Sequence, residues 1–129
     1  MQPERLYLAT NTGIAELNYS QGGWKDLGMK FLVNESVSQI GEDTLCNLWA
    51  RVRQKGLYRV KNICSVNPVV EHCDSLLGFP KTRYLTIYDI HSPVVFETDT
   101  NYYYFIDSLN RFEIYPLTEQ NLNEEQKDR

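Results

Sequence analysis

The sequence predicts a mainly β fold: a single small domain of antiparallel hairpins arranged as a sandwich, a barrel or a partial propeller. Three observations predict it. Short runs alternate apolar and polar residues with the two-residue period of a half-buried strand. Turn formers (Gly, Asn, Asp, Ser, Pro) separate these runs at short intervals. Nine tyrosines and five phenylalanines suit a pleated surface.

The elements follow in order. Leu6–Thr10 and Ile14–Tyr19 flank Asn11-Thr12-Gly13, a hairpin turn, and Gln21-Gly22-Gly23 ends the second run. Met29–Val33 and Val37–Ile40 are weaker strands around Asn34-Glu35-Ser36. The strongest signal lies within 44–61. There Cys46, Leu48, Ala50 and Val52 alternate with Asn47, Trp49, Arg51 and Arg53, and Gln54-Lys55-Gly56 turns the chain into Leu57–Val60. Residues 69–77 read as a short helix or an irregular crossing. Tyr84–Ile90, Val94–Thr98, Tyr102–Asp107 and Arg111–Leu117 are again strands. Because Tyr102–Ile106 is apolar on both faces, it belongs in the interior of a sheet. The domain thus spans 1–117, and the polar stretch 118–129 reads as a flexible tail.

An internal repeat runs through the first half. Leu6-Tyr7-Leu8-Ala9 with Gly13-Ile14 matches Asn47-Leu48-Trp49-Ala50 with Gly56-Leu57, and the spacing between Ala9 and Ala50 is that of a propeller blade of ~40–45 residues. Ser20-Gln21-Gly22-Gly23-Trp24 supplies a glycine–aromatic turn, with Gln21 where an Asp-box carries aspartate. Residues 6–60 therefore resemble blades of a sialidase-type β-propeller, and Tyr104–Tyr115 is a looser third copy with Arg111 in the glycine position. The resemblance implies blade-like sheets. Since propellers close with about four to eight blades, a chain of this length would complete a ring only as a homo-oligomer or as part of something larger.

Charge is unevenly placed. No acid occurs from Thr44 to Val70, whereas Arg51, Arg53, Lys55, Arg59 and Lys61 are cationic, in a chain of net charge −4. Strand alternation puts Trp49, Arg51 and Arg53 on one outward face, with Arg59 nearby on the return strand. Tryptophan and arginine are the residue types that dominate interface energetics. This face, Trp49, Arg51, Arg53, Lys55 and Arg59, is the expected binding surface for an acidic protein partner. Nucleic acid ranks lower because the chain is acidic overall. A solvated face, or cations paired internally with Glu42, Asp43, Glu71 and Asp74, is the competing reading. The tyrosines, Tyr84, Tyr88, Tyr102 and Tyr104, offer an alternative small-ligand or carbohydrate surface.

Catalytic motifs are lacking. Cys64, His72, Cys73 and Asp74 match no common zinc spacing. Asp89, His91 and Ser92 lack a signalled oxyanion site, and turn chemistry before Pro93 accounts for them. Glu97, Asp99 and Asp107 flank turns, where acids are simply solvated. No glycine-rich phosphate loop is present. A non-catalytic interaction module (an adaptor, inhibitor or assembly factor) without metal or cofactor is expected. Three cysteines, odd in number and without a CxxC pair, point to reduced thiols and a cytoplasmic location. No apolar run approaches the ~18 residues of a membrane span.

Overall fold

The computed structural model describes residues 5–90 and 92–116. It is mainly β, with eleven strands in three antiparallel sheets among the described residues. Sheet A contains β1 (Arg5–Thr10), β2 (Gly13–Ser20) and β3 (Gly23–Phe31) in that order. Sheet B is β4 (Val37–Glu42), β5 (Asn47–Val52), β6 (Gly56–Lys61) and β7 (Val69–His72), again in chain order. Sheet C is β8 (Thr86–Tyr88), β9 (Val95–Glu97), β10 (Tyr102–Ile106) and β11 (Arg111–Ile114). Each sheet is a meander of neighbouring strands. The first strands of the three meanders also lie together, β1 beside β4 and β4 beside β8.

The predicted runs map closely onto these strands. Both copies of the repeat form hairpins: Ala9 pairs with Ile14 and Ala50 with Tyr58, with Gly13 and Gly56 at positive φ in the turns. In the looser third copy the left-handed position falls on Asn110 (φ 51°), one residue before Arg111. Residues 69–77 divide between β7 and a single 3-10 turn, Ser75–Leu77. Strand β3 begins earlier than Met29 and crosses a register shift opposite Ala15–Leu17. Its polar residues and Gly28 conceal that strand from a periodicity reading. As expected, β10 lies between β9 and β11, but the expectation that it is covered from both sides is corrected: all five residues are half-buried, because only the side of Tyr103 and Phe105 packs into the core. The tail at 118–129 lies outside the described residues.

Sheet B is the middle layer. On one side Leu48, Ala50, Val52 and Val60 pack with Tyr7, Ile14 and Phe31 of sheet A. On the other, Trp49 and Leu57 pack with Ile87, Phe96 and Phe112 of sheet C. The amide of Gln39 ties the first strands together, donating to Ile87 O and accepting from Ile87 N, both at 2.9 Å. Covered on both faces, β5 buries Leu48, Ala50 and Val52 on one side and Trp49 with the hydrogen-bonded Asn47 on the other.

Cys46 and Cys64 form a disulfide, with their Cα atoms 5.7 Å apart. The expectation of three reduced thiols is corrected. The two cysteines flank the β5–β6 hairpin, and antiparallel pairing of Asn47 with Lys61 brings its ends together. Cys73 is a free thiol, buried beneath sheet C.

Candidate functional site

At Trp49 and Arg59 the expected face is not open to solvent, while Arg51 on the same side is half-buried at the edge of a cleft. Trp49 is 1% exposed, its indole 5.0 Å from Phe96, 5.4 Å from Phe105 and 5.6 Å from Phe112. Its Nε1 donates to Asp43 Oδ2 at 2.9 Å. Arg59, 3% exposed, donates Nε to Glu71 Oε1, and Nη2 also pairs with that carboxylate. The guanidinium lies 4.5 Å from the Phe105 ring and 5.7 Å from that of Trp49. Both residues share one face, as alternation requires, but sheet C covers it. Trp49 and Arg59 are thus corrected from partner-binding surface to core, and Glu71 neutralises Arg59 as the internal-pairing reading anticipated.

The remaining cations occupy a cleft at the other end of the interface between sheets B and C. One wall is the β5–β6 turn. Lys55 N donates to Val52 O at 3.0 Å, and Gln54 and Gly56 take positive φ so that Arg53 and Lys55 project from a tight bend. The second wall is the strap Pro80–Leu85. Its entry is fixed by the 3-10 turn, where Asp74 Oδ1 accepts from Leu76 N and Gly78 ends the turn at φ 83°. A Cβ on Gly78 would sit 2.9 Å from Phe112 O, so glycine lets the strap lie against sheet C. Asp99 then holds the strap, accepting from Arg83 N at 2.9 Å and Tyr84 N at 3.0 Å. Those backbone donors, led by Arg83 N, keep its carboxyl below the usual carboxylate range.

The cleft has a volume of about 850 Å³. Arg51, Arg53, Lys55, Lys81 and Arg83 line it, with Val52, Leu57, Phe79 and Leu85 as apolar floor. Asp74 is the one carboxylate on its lining among the described residues. Arg51 is partly committed, donating Nε to Ser38 Oγ at 2.7 Å and Nη1 to Leu85 O. Lys55 pairs with Glu35 at 2.6 Å, which raises the ammonium pKa. Arg53, Lys81 and Arg83 are exposed, and their side chains form no ion pair with a described residue. Lys81 and Arg83 were missed in the sequence because they lie about thirty residues from the hairpin. Their signal was two cations bracketing a threonine just after a proline.

The opposite end of the same interface is acidic. A smaller cavity of about 210 Å³ is bordered by Glu42, Asp43 and Asp89. Asp43 is fully engaged there, accepting from Leu45 N, Asn47 N, Asn47 Nδ2 and Trp49 Nε1. Desolvation, followed by the neighbouring Asp89 charge, raises the Glu42 pKa. No three potential metal ligands cluster among the described residues, and the disulfide removes Cys64 from the zinc reading. His91 lies outside the described residues, so the Asp89–His91 relation does too.

The tyrosines lie mainly on the far side of sheet C, where three converge on one carboxylate. Tyr88 and Tyr84 donate their hydroxyls to Glu97 Oε1 at 2.7 and 3.4 Å, and Tyr102 donates to Oε2 at 3.2 Å. Tyr104 instead meets Tyr115 edge-on at 5.5 Å. Of the four, Tyr84 alone borders the basic cleft. Glu97 therefore organises the tyrosines, and Asp99 the strap.

No family model matches the chain, and no curated protein or solved structure resembles it significantly.

Proposed function

We propose that this chain is a non-catalytic protein-interaction module that seats an acidic segment of a partner protein in the cleft between sheets B and C. The observation that carries the reading is the concentration of five cations around one carboxylate, in a chain whose net charge is −4. Arg53, Lys81 and Arg83 supply the steering field, since no described acid neutralises them at contact distance. Phe79 and Leu85, buried in the core shared with Trp49, close the bottom of the cleft and hold its two walls in place. Arg51, held by Ser38 and Leu85, adds a fixed guanidinium at the back of the cleft. Trp49 and Arg59 act from beneath, as the packing that holds sheets B and C together.

The test uses fluorescein-labelled Glu/Asp-rich peptides, each with one central leucine or phenylalanine, and follows anisotropy. Replacing Arg53, Lys81 and Arg83 together by glutamate is expected to weaken binding by at least about tenfold, or about 1.4 kcal/mol. Raising salt from about 50 to 300 mM should weaken the wild-type complex and leave the variant nearly unaffected. Equal affinities for the two proteins would remove the cleft from the account. Tight binding of single-stranded DNA with a steep salt slope would transfer it to nucleic acid.

A tyrosine-lined ligand site has less support, because three of its four hydroxyls are already directed at Glu97. Among the described residues no helix is long and apolar enough to cross a membrane. The Cys46–Cys64 bond weighs against the expected cytoplasmic location and favours an oxidising compartment as the place of action.

A further inference from the structure

Sheet A is covered by sheet B on one side only, and its other side is apolar. Leu6 and Leu8 of β1, Tyr19 of β2, and Trp24 and Met29 of β3 are 44%, 42%, 48%, 55% and 41% exposed. Register places them on a common side. Leu6 pairs with Leu17 and Leu8 with Ala15, Ala15 also pairs with Met29, and Tyr19 pairs with Trp24. Tyr19 and Trp24 meet edge-on at 5.2 Å, so the aromatic corner is already ordered. We propose that this side of sheet A is a self-association surface, on which a second copy of the chain packs the same side of its own sheet A.

Four observations favour a second copy. The first is area. At these exposures the five side chains present on the order of 500 Å², so two such faces in contact would remove roughly 1,000 Å² or more, where specific interfaces begin.

The second is charge. Asp26 is the one ionised residue paired into this side of the sheet among the described residues, and its Oδ1 accepts from Gly28 N at 2.7 Å. The other charges of sheet A lie on the covered side, where Glu16 pairs with Arg5 at 3.4 Å and with Lys30 at 3.9 Å. Two molecules of net charge −4 can meet at low cost where neither presents a charged array.

The third is the repeat. Leu8 stands before Ala9 as Trp49 stands before Ala50, and Trp49's side of sheet B is buried under another sheet. Sheet A therefore offers at the equivalent place a surface built to be covered by a sheet. The fourth concerns the chain's own tail: residues 118–129 are polar, with Leu122 their single aliphatic side chain, and match this face poorly. A two-fold contact of like faces is the simplest closed assembly.

The mass of the full chain, followed by light scattering and sedimentation equilibrium from about 1 to 200 μM, tests this. The expected result is a concentration-dependent rise from 15.1 kDa to twice that mass. Leu8→Glu and Trp24→Glu should each raise the dimer dissociation constant by at least about tenfold. Val66→Glu, at a site 93% exposed on the loop after β6, should leave it unchanged. Circular dichroism matching wild type establishes that the variants are folded; Met29→Gln, a milder change on the same face, serves if either is not. A strict monomer at 200 μM would overturn the proposal, as would association insensitive to these substitutions or a mass beyond the dimer. Because Arg53, Lys81 and Arg83 are untouched, failure here leaves the cleft's peptide test independent.

Discussion

Arg59 and Glu97 show how single residues take their roles from what surrounds them. Arg59 reads as a surface cation, yet its guanidinium is held by Glu71 and by the faces of two aromatic rings, so its charge stabilises the join between sheets rather than seeking a partner. Glu97 reads as a solvated acid beside a turn, yet it accepts from three phenols. The Tyr88 hydroxyl is pushed up to about 12, first by its hydrogen bond to Glu97, then by desolvation and the carboxylate's charge. The fold thus favours the neutral phenol. Its contribution is complete below the ordinary tyrosine value of about 10 and is lost as pH climbs from there through about 12. Phenolate absorbance during an alkaline titration should show late-titrating tyrosines, Tyr7 among them because burial raises it, and Glu97→Gln should bring the Tyr88 component back toward about 10. An unchanged titration in that variant would contradict the assigned cause.

At the scale of elements, the β5–β6 hairpin organises the molecule. Its strands fill the central layer, its turn forms one wall of the cleft, and the Cys46–Cys64 bond fastens its open end. A cross-link spanning 18 residues restricts the unfolded chain by about 3 kcal/mol. Replacing both cysteines by alanine should lower urea-unfolding stability by roughly that amount, and reductant should destabilise the wild type similarly. Thiol counting provides a second check. Burial, chiefly, pushes the Cys73 thiol up to about 12, so it should resist alkylation near neutral pH in the native protein. Denaturation without reductant should expose one reactive thiol, and with reductant three. Three thiols without reductant would mean that the bond is absent.

Over the whole molecule, three sheets share two apolar layers, and sheet B contributes to both. Loss of either layer exposes one face of that middle sheet, so the two should melt together. Ile14→Ala, in the layer toward sheet A, should cost about 2–5 kcal/mol, and Trp49→Ala, in the layer toward sheet C, about 3–5 kcal/mol. Each should displace one cooperative transition seen alike by calorimetry and circular dichroism; two separated transitions in either variant would show that the layers fold independently. The same stacking polarises the B–C interface. Arg51, Arg53, Lys55, Lys81 and Arg83 gather at one end, with Glu42, Asp43 and Asp89 at the other.

By itself the sequence determined where strands begin and turn, because the two-residue period and the turn glycines act within a few residues. Gly13 and Gly56 marked their hairpins, and Arg51 and Trp49 were placed on one face of β5 correctly. Only the tertiary structure decided that the Trp49 face of β5 is covered as well as the Leu48 face, since the rings that cover Trp49 come from residues 96–112. Likewise, Lys81 and Arg83 reach the hairpin only because Asp99 and the turn at Gly78 hold their strap across the gap. Burial is a property of packing between distant segments, and alternation along one strand says which side chains travel together but not what lies opposite them.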